Sequence, residues 1–246
     1  MAFASLGAVR LFYTDEGAGE PVMLFVHGYS CDSHDWSWQL EAFASSHRVI
    51  AADLRGHGRS SVPADGFDPR TFAADLVGLL DGLRVGPVVA IGHSLGGLVV
   101  SALAVEYPDR VSAVVAVDPA YGVDEDVAVL LRGVLDGLRS PAGMDAAEAI
   151  FASMDVATTP DHLRVWHRRR VLGMPLPVIL GTLSGIYEAP DQFGLRPASD
   201  EYLARRRCPV LAVHAAPGRA AWDATTFQHP SSRAVSGVLR ASGVPC

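Results

Sequence analysis

Short runs of Val, Ile, Leu and Ala recur along the chain, separated by stretches whose apolar residues return every three to four positions. That alternation predicts β/α units and a mostly parallel sheet covered by helices on both faces. An opening hairpin is expected at about 9–14, with a Gly-rich turn after it. PVMLFVHG at 21–28 and HRVIAADL at 47–54 read as buried strands, with a helix near 35–45 between them. TFAADLVGLLDGL at 71–83 carries its apolar residues on one helical stripe. A further buried strand, PVVAIGHS at 87–94, leads into a helix, LGGLVVSALAVEYP, that Pro108 ends, and VSAVVAVDP at 111–119 is another.

From 120 to 207 the strand pattern stops. Pro141, Pro160, Pro175, Pro177 and Pro190 divide this segment into several helices, which predicts a helical cap inserted after the sixth strand of a single domain spanning 1–246. Strands are expected again at 209–215 and 231–239. The uncharged run 85–105 approaches the length of a bilayer span, about 20 residues. Pro87, the Gly-His-Ser-Leu-Gly-Gly break and Ser101 divide it into a strand and a buried helix instead.

Composition narrows the class. The chain has 246 residues, 49% of them hydrophobic, enough for a sizeable core. The formal net charge is −7 with no basic block, so neither nucleic acid nor an anionic membrane surface is an expected partner. Cys31, Cys208 and Cys246 are scattered and odd in number, which suggests neither a disulfide framework nor a metal or redox pair. The N-terminus lacks the pattern of a secretory signal, and a cytoplasmic setting is expected.

The strongest chemical signal is Gly92-His93-Ser94-Leu95-Gly96 between a predicted strand and a predicted helix. A strand that turns abruptly into a helix has room only for small residues around the turn. It lifts the serine hydroxyl beside the free N–H groups of the helix N-terminus. The alternative is that these glycines merely permit close packing of strand and helix. His27-Gly28-Tyr29, at the C-terminal end of an earlier strand, lies at the edge where ligands collect in open α/β sheets.

With these motifs in place, the chain resembles the α/β-hydrolase superfamily over about 9–119, and again at 209–215. The resemblance implies a serine hydrolase without a cofactor or metal. Its nucleophile would be Ser94, with the Tyr29 and Leu95 backbone N–H groups as the oxyanion hole. The implied substrate is a small, largely apolar ester or lactone cleaved through an acyl-enzyme. A carbon–carbon bond hydrolase is a close variant, whereas epoxide and dehalogenase chemistry would need a carboxylate at position 94. DLRGHGRS at 53–60 also looks like a family signature, in which Asp53, Arg55, His57 and Arg59 read as loop-fixing residues. His93 reads as a packing histidine. Trp166, Met174, Leu176, Ile179, Leu180, Leu183 and Tyr187 are candidate cap residues lining the pocket, and Arg168, Arg169 and Arg170 read as a solvated helix face.

The general base and its orienting acid are harder to place. Asp118 ends the strand beside the nucleophile strand and is favoured over Asp223 as the acid; its alternative role is only to cap the entry to the helical segment. The family's histidine follows the last strand, but SSRAVSGVLRASGVPC contains none. His229 is the substitute base and His214 a poorer one. A catalytically impaired, hydrolase-like binding protein is therefore the second reading, and a shift in reading frame near Leu239 is one account of the unusual tail. A face of the sheet left without its final helix would favour a homo-oligomer.

Overall fold

A computed structural model describes residues 2–236. Expectations that fall on 237–246 lie outside the described residues. The chain opens with the hairpin β1 (Ala2–Leu6) and β2 (Val9–Glu16), turning at Gly7, whose φ is 64°. The hairpin partner thus precedes residue 9. The Gly-rich stretch that follows is a link to β3 (Met23–Val26), packed so tightly that a Cβ on Gly17 would lie 2.3 Å from the His47 carbonyl oxygen. Next come α1 (Ser37–Ala44), β4 (Val49–Ala52), α2 (Pro69–Gly82), β5 (Val88–His93), α3 (Leu95–Glu106) and β6 (Val111–Val117).

Between β6 and β7 lie five helices: α4 (Glu125–Arg139), α5 (Gly143–Ala152), α6 (Asp161–Leu172), α7 (Leu176–Tyr187) and α8 (Ala198–Leu203). The described chain finishes with β7 (Val210–His214), α9 (Pro217–Ala224) and β8 (Arg233–Ser236). The strand order is β1-β2-β4-β3-β5-β6-β7-β8, with the β1–β2 and β2–β4 pairs antiparallel and every later pair parallel. This is the expected α/β architecture, with β5, the strand that leads into Ser94, near its centre.

Local chemistry explains the ends of the elements. Asp68 caps α2 by accepting the Arg70 and Thr71 N–H groups, with Pro69 in the first turn, where a missing N–H costs nothing. Helix α3 is apolar all round and buried along most of its length, as suits a helix between the sheet and its neighbours. The main core joins α2 and α3 to one face of the sheet, and Phe25, Trp36, Leu40, Val49, Ala51 and Ile91 form the core on the other. Farther along that second face, Leu211 and Val235 are 41% and 46% exposed. No single described helix is long and apolar enough to cross a membrane.

Candidate active site

Ser94 stands alone between β5 and α3, with φ 51° and ψ −113°. A non-glycine residue in this region carries strain of about 1–3 kcal/mol. The surrounding backbone holds it there. The Ser94 N–H donates to the Val117 carbonyl (3.0 Å), and its own carbonyl accepts from Gly97 (2.9 Å) and Ala120 (3.2 Å). Side chains at the flanking glycines would collide with main chain: a Cβ on Gly92 would sit 2.1 Å from the Gly96 oxygen, and one on Gly96 would sit 2.2 Å from the Val26 oxygen. The glycine spacing therefore reflects backbone contact between helix and strands.

The hydroxyl side of Ser94 opens on a cavity of about 760 Å³ at the C-terminal edge of the sheet. Gly28 lies against it: a Cβ there would be 3.5 Å from that of Ser94 and 3.0 Å from Nδ1 of His93. Tyr29 follows, at the cavity wall, and among the described residues its N–H meets no acceptor. The Leu95 N–H belongs to the first turn of α3, which has no intrahelical partner for it. Tyr29, next to the Gly28 that abuts Ser94, and Leu95, directly after Ser94, both border the serine, at the positive end of α3.

The loop carrying Tyr29 is fixed from below by the 53–60 segment. His27 Nδ1 donates to the Gly28 carbonyl (2.8 Å), and Nε2 accepts the Leu54 N–H (3.0 Å). Burial lowers the His27 pKa, which keeps this neutral tautomer. Asp53 accepts the Ser33 N–H (2.8 Å) and the Arg59 N–H (2.8 Å). Burial alone would raise the Asp53 pKa, but these hydrogen bonds outweigh it and lower it. Arg55 pairs with Asp75 through two bonds of 2.6 Å, and His57, buried beside His27, is pushed down to about 3 by desolvation. Asp53, Arg55, His57 and Arg59 hold loops and none of them lines the cavity.

Asp118 is one residue past β6, with φ 40°, and its carboxylate accepts the Ala215 N–H at 3.2 Å. Because His93 is in register with Val117, Asp118 stands level with Ser94 on the neighbouring strand, about 4.8 Å across in the sheet. Asp223 is elsewhere. It is fully buried under β7, bonded to His214 (3.0 Å), Tyr121 (2.9 Å) and Arg206 (3.2 Å). Burial raises its pKa, but these partners outweigh that and lower it. Asp223 and His214 are members of a buried polar network rather than of the cavity.

His229 requires a correction. It precedes β8, at the end of the sheet where Ser232 Oγ accepts the Val210 N–H (3.0 Å) at the start of β7. Ser94 follows the end of a parallel strand, so the two lie on opposite edges, separated by a five-residue strand or roughly 15 Å. The imidazoles that do face the cavity are His34, His93 and His167. Nδ1 of His34 lies 3.2 Å from Arg59 and that of His167 lies 3.2 Å from Asp155. His93 is open to the cavity, and desolvation lowers its pKa against the opposing pull of Asp35 and Asp118. Among the described residues no side chain hydrogen-bonds to the Ser94 hydroxyl, and no His/Cys/Asp/Glu cluster could hold a metal.

The cap-side wall also differs from expectation. It is built by α5 and α6, through Phe151, Leu163, Trp166, His167, Arg170 and Val171. Of the apolar residues expected there, only Trp166 lines the cavity. Helix α7 packs onto the main domain, where Gly181 and Gly185 touch Phe67, and Met174, Ile179 and Leu183 are buried. Arg168 has a side chain 66% exposed and fits the solvated-face reading, whereas that of Arg170 is 12% exposed and turns inward.

A sequence model of the alpha/beta hydrolase fold matches residues 21–162. An epoxide hydrolase of Caballeronia sordidicola is 43% identical over 109 residues, 43% of this chain and 33% of that protein. A 2-(acetamidomethylene)succinate hydrolase of Mesorhizobium japonicum is 32% identical over 161 residues, 65% of this chain and 58% of that protein. The matches therefore span about a third of the first relative and somewhat under two thirds of the second. Among solved structures, a thermophilic esterase from Thermogutta terrifontis aligns with a TM-score of 0.74 and 28% identity, over 93% of this chain and 84% of that one.

Proposed function

The chain belongs to the alpha/beta hydrolase fold family, and from that premise we propose that it is a serine hydrolase acting on a small, largely apolar ester or lactone. The observation that carries this reading is the strained Ser94 lining a mostly apolar cavity, bordered by Tyr29 and Leu95, whose N–H groups would bind an oxyanion. In the proposed reaction the Ser94 oxygen attacks the carbonyl carbon, its proton passes to a base, and the two N–H groups bind the developing oxyanion. Collapse of that intermediate breaks the bond to the leaving group, which takes up the proton, and water then hydrolyses the acyl-enzyme. In comparable sites, loss of one oxyanion donor costs about 10²–10³ in rate. To Asp118, one residue past the strand beside β5, this reading gives the role of orienting the base.

Epoxide opening is disfavoured, because the resemblance implies a carboxylate nucleophile for that reaction and position 94 is serine. The apolar wall of Phe151, Leu163, Trp166 and Val171 supports an apolar acyl group. A carbon–carbon bond hydrolase would use the same serine. The free thiols Cys31 and Cys208 suit a reducing, cytoplasmic setting. A second reading, a binding protein with little turnover, is favoured by the absence of an imidazole on Ser94 among the described residues. Without a base, comparable enzymes retain about 10³–10⁴-fold acceleration over water. Hydrolysis of short-chain nitrophenyl esters separates the readings: turnover that Ser94→Ala abolishes supports the hydrolase, and rates equal to those of the Ser94→Ala protein support the binding protein.

A further inference from the structure

The oxyanion loop is gripped from two sides. From below, Asp53 accepts the Ser33 N–H. From the cap, three contacts converge on seven residues: the Tyr29 hydroxyl donates to the Ile179 carbonyl (2.8 Å), Ser30 Oγ lies 3.5 Å from the sulfur of Met174, and Arg170 reaches Asp35 at 2.7 Å and Asp32 at 3.5 Å. Only the last contact is charged.

We infer that Arg170 is a positioning residue, a clamp from α6 that holds the 29–35 loop so that the Tyr29 N–H points at the carbonyl oxygen above Ser94. The inference rests on the proposed hydrolase reading for its catalytic consequence, while the clamp itself rests on geometry. Helix α6 turns Leu163, Trp166, His167, Arg170 and Val171 to the cavity, the i, i+3, i+4, i+7, i+8 positions of one face. Arg170 is thereby placed over the loop, while Arg168 turns outward to Glu148.

Asp32 and Asp35 have side chains 19% and 27% exposed, so each carboxylate is held mostly out of water beside the other. Arg170 is their shared counter-charge. Asp32 also accepts the His34 N–H (2.8 Å), capping the short turn over 33–36. Removing the guanidinium leaves two neighbouring carboxylates in a low-dielectric setting, where like charges repel and each is drawn toward solvent. Both movements pull on the chain immediately after Tyr29. The Nε and Nη2 groups of Arg170 make no aligned hydrogen bond despite their burial, so the grip is one of charge and proximity, which lysine can partly reproduce.

The test uses the full chain with Arg170→Met, Arg170→Lys and Asp35→Asn, and Arg168→Met as control. Amide hydrogen exchange over 29–36 is expected to accelerate about tenfold or more in Arg170→Met with β5 unchanged, in the manner of local opening. Phosphonylation of Ser94 by an uncharged fluorophosphonate should lose about 10–100-fold in its maximal rate, part of the cost of losing an oxyanion donor outright. The concentration for half-maximal rate should change less than about threefold, because ground-state binding is preserved. Arg170→Lys should recover most of the rate, and Asp35→Asn should reproduce the defect should Arg170→Met fold poorly. Unchanged loop exchange in both Arg170→Met and Asp35→Asn, or an equal effect of Arg168→Met, overturns the clamp. A rate loss confined to the half-maximal concentration overturns the positioning role. If the unsubstituted protein does not label at all, it is the hydrolase reading that fails, and the exchange measurement still decides the clamp.

Discussion

Gly96→Ala probes the elbow without touching a reactive atom. The added Cβ would sit 2.2 Å from the Val26 oxygen and 2.8 Å from the His27 oxygen. An ordinary carbon–oxygen contact is longer than the first by roughly 1 Å. Both neighbours are main chain, so no rotamer change relieves the overlap, and α3 must back away from β3. Overpacking typically costs about 1–3 kcal/mol, and an unrelieved backbone overlap belongs at the top of that range or beyond it. At about 2–4 °C per kcal/mol for a chain of this size, a cost of ~3 kcal/mol lowers the melting temperature by roughly 6–12 °C. The displacement would also carry the Leu95 N–H away from the Gly28–Tyr29 loop, so reactivity should fall further than stability. The control is Gly82→Ala, where nothing lies within 4 Å of the added carbon; it should be neutral or stabilising by up to ~1 kcal/mol. Calorimetry of the three proteins decides the matter. Should Gly96→Ala melt within about 2 °C of the unsubstituted protein, the tight helix–strand contact argued here is wrong.

Asp118→Asn should lower Ser94 reactivity with little change in melting. Asp223→Asn should do the reverse, at about 3–5 kcal/mol, because it strips the counter-charge from Arg206, whose side chain is 1% exposed; parallel assays that find the same pattern in both variants would refute the assignment. His57, with a native pKa near 3 against an ordinary 6.5, is neutral in the fold. As pH falls below 6.5 the unfolded chain takes up a proton that the native state refuses, and stability drops by up to ~1.4 kcal/mol per pH unit. His27, also lowered, adds in the same direction. Stability measured from pH 7 to pH 5 should therefore decline less steeply in His57→Gln than in the unsubstituted chain, and parallel curves would contradict this.

Much of the scaffold is legible because its constraints are hard ones. Buried parallel strands must be apolar on both faces, and the glycines of the elbow stand against main chain, so both leave marks in the sequence. Strand β1 was hidden by its half-buried alternation, in which Ala2, Ala4 and Leu6 are only partly covered. Helix α9 was hidden by its shortness and by an anchor made of Ala220 and Asp223 rather than an apolar stripe. The apolar character of α7 reported burial against Phe67, which sequence alone cannot distinguish from a substrate wall. Arg170 sat concealed in a run of three arginines, although the helical phase of Leu163, Trp166, His167 and Val171 would have turned it inward. Chain direction is what separates His229 from Ser94: in a parallel sheet, the loop before one strand and the residue after another lie at opposite ends.

The most direct measurement of the central claim is mass-spectrometric mapping of the protein after treatment with a fluorophosphonate. The account predicts a single adduct, on the peptide that contains Ser94, and its disappearance in Ser94→Ala. No adduct, or one that persists in Ser94→Ala, would show that the hydroxyl at the end of β5 is not the nucleophile.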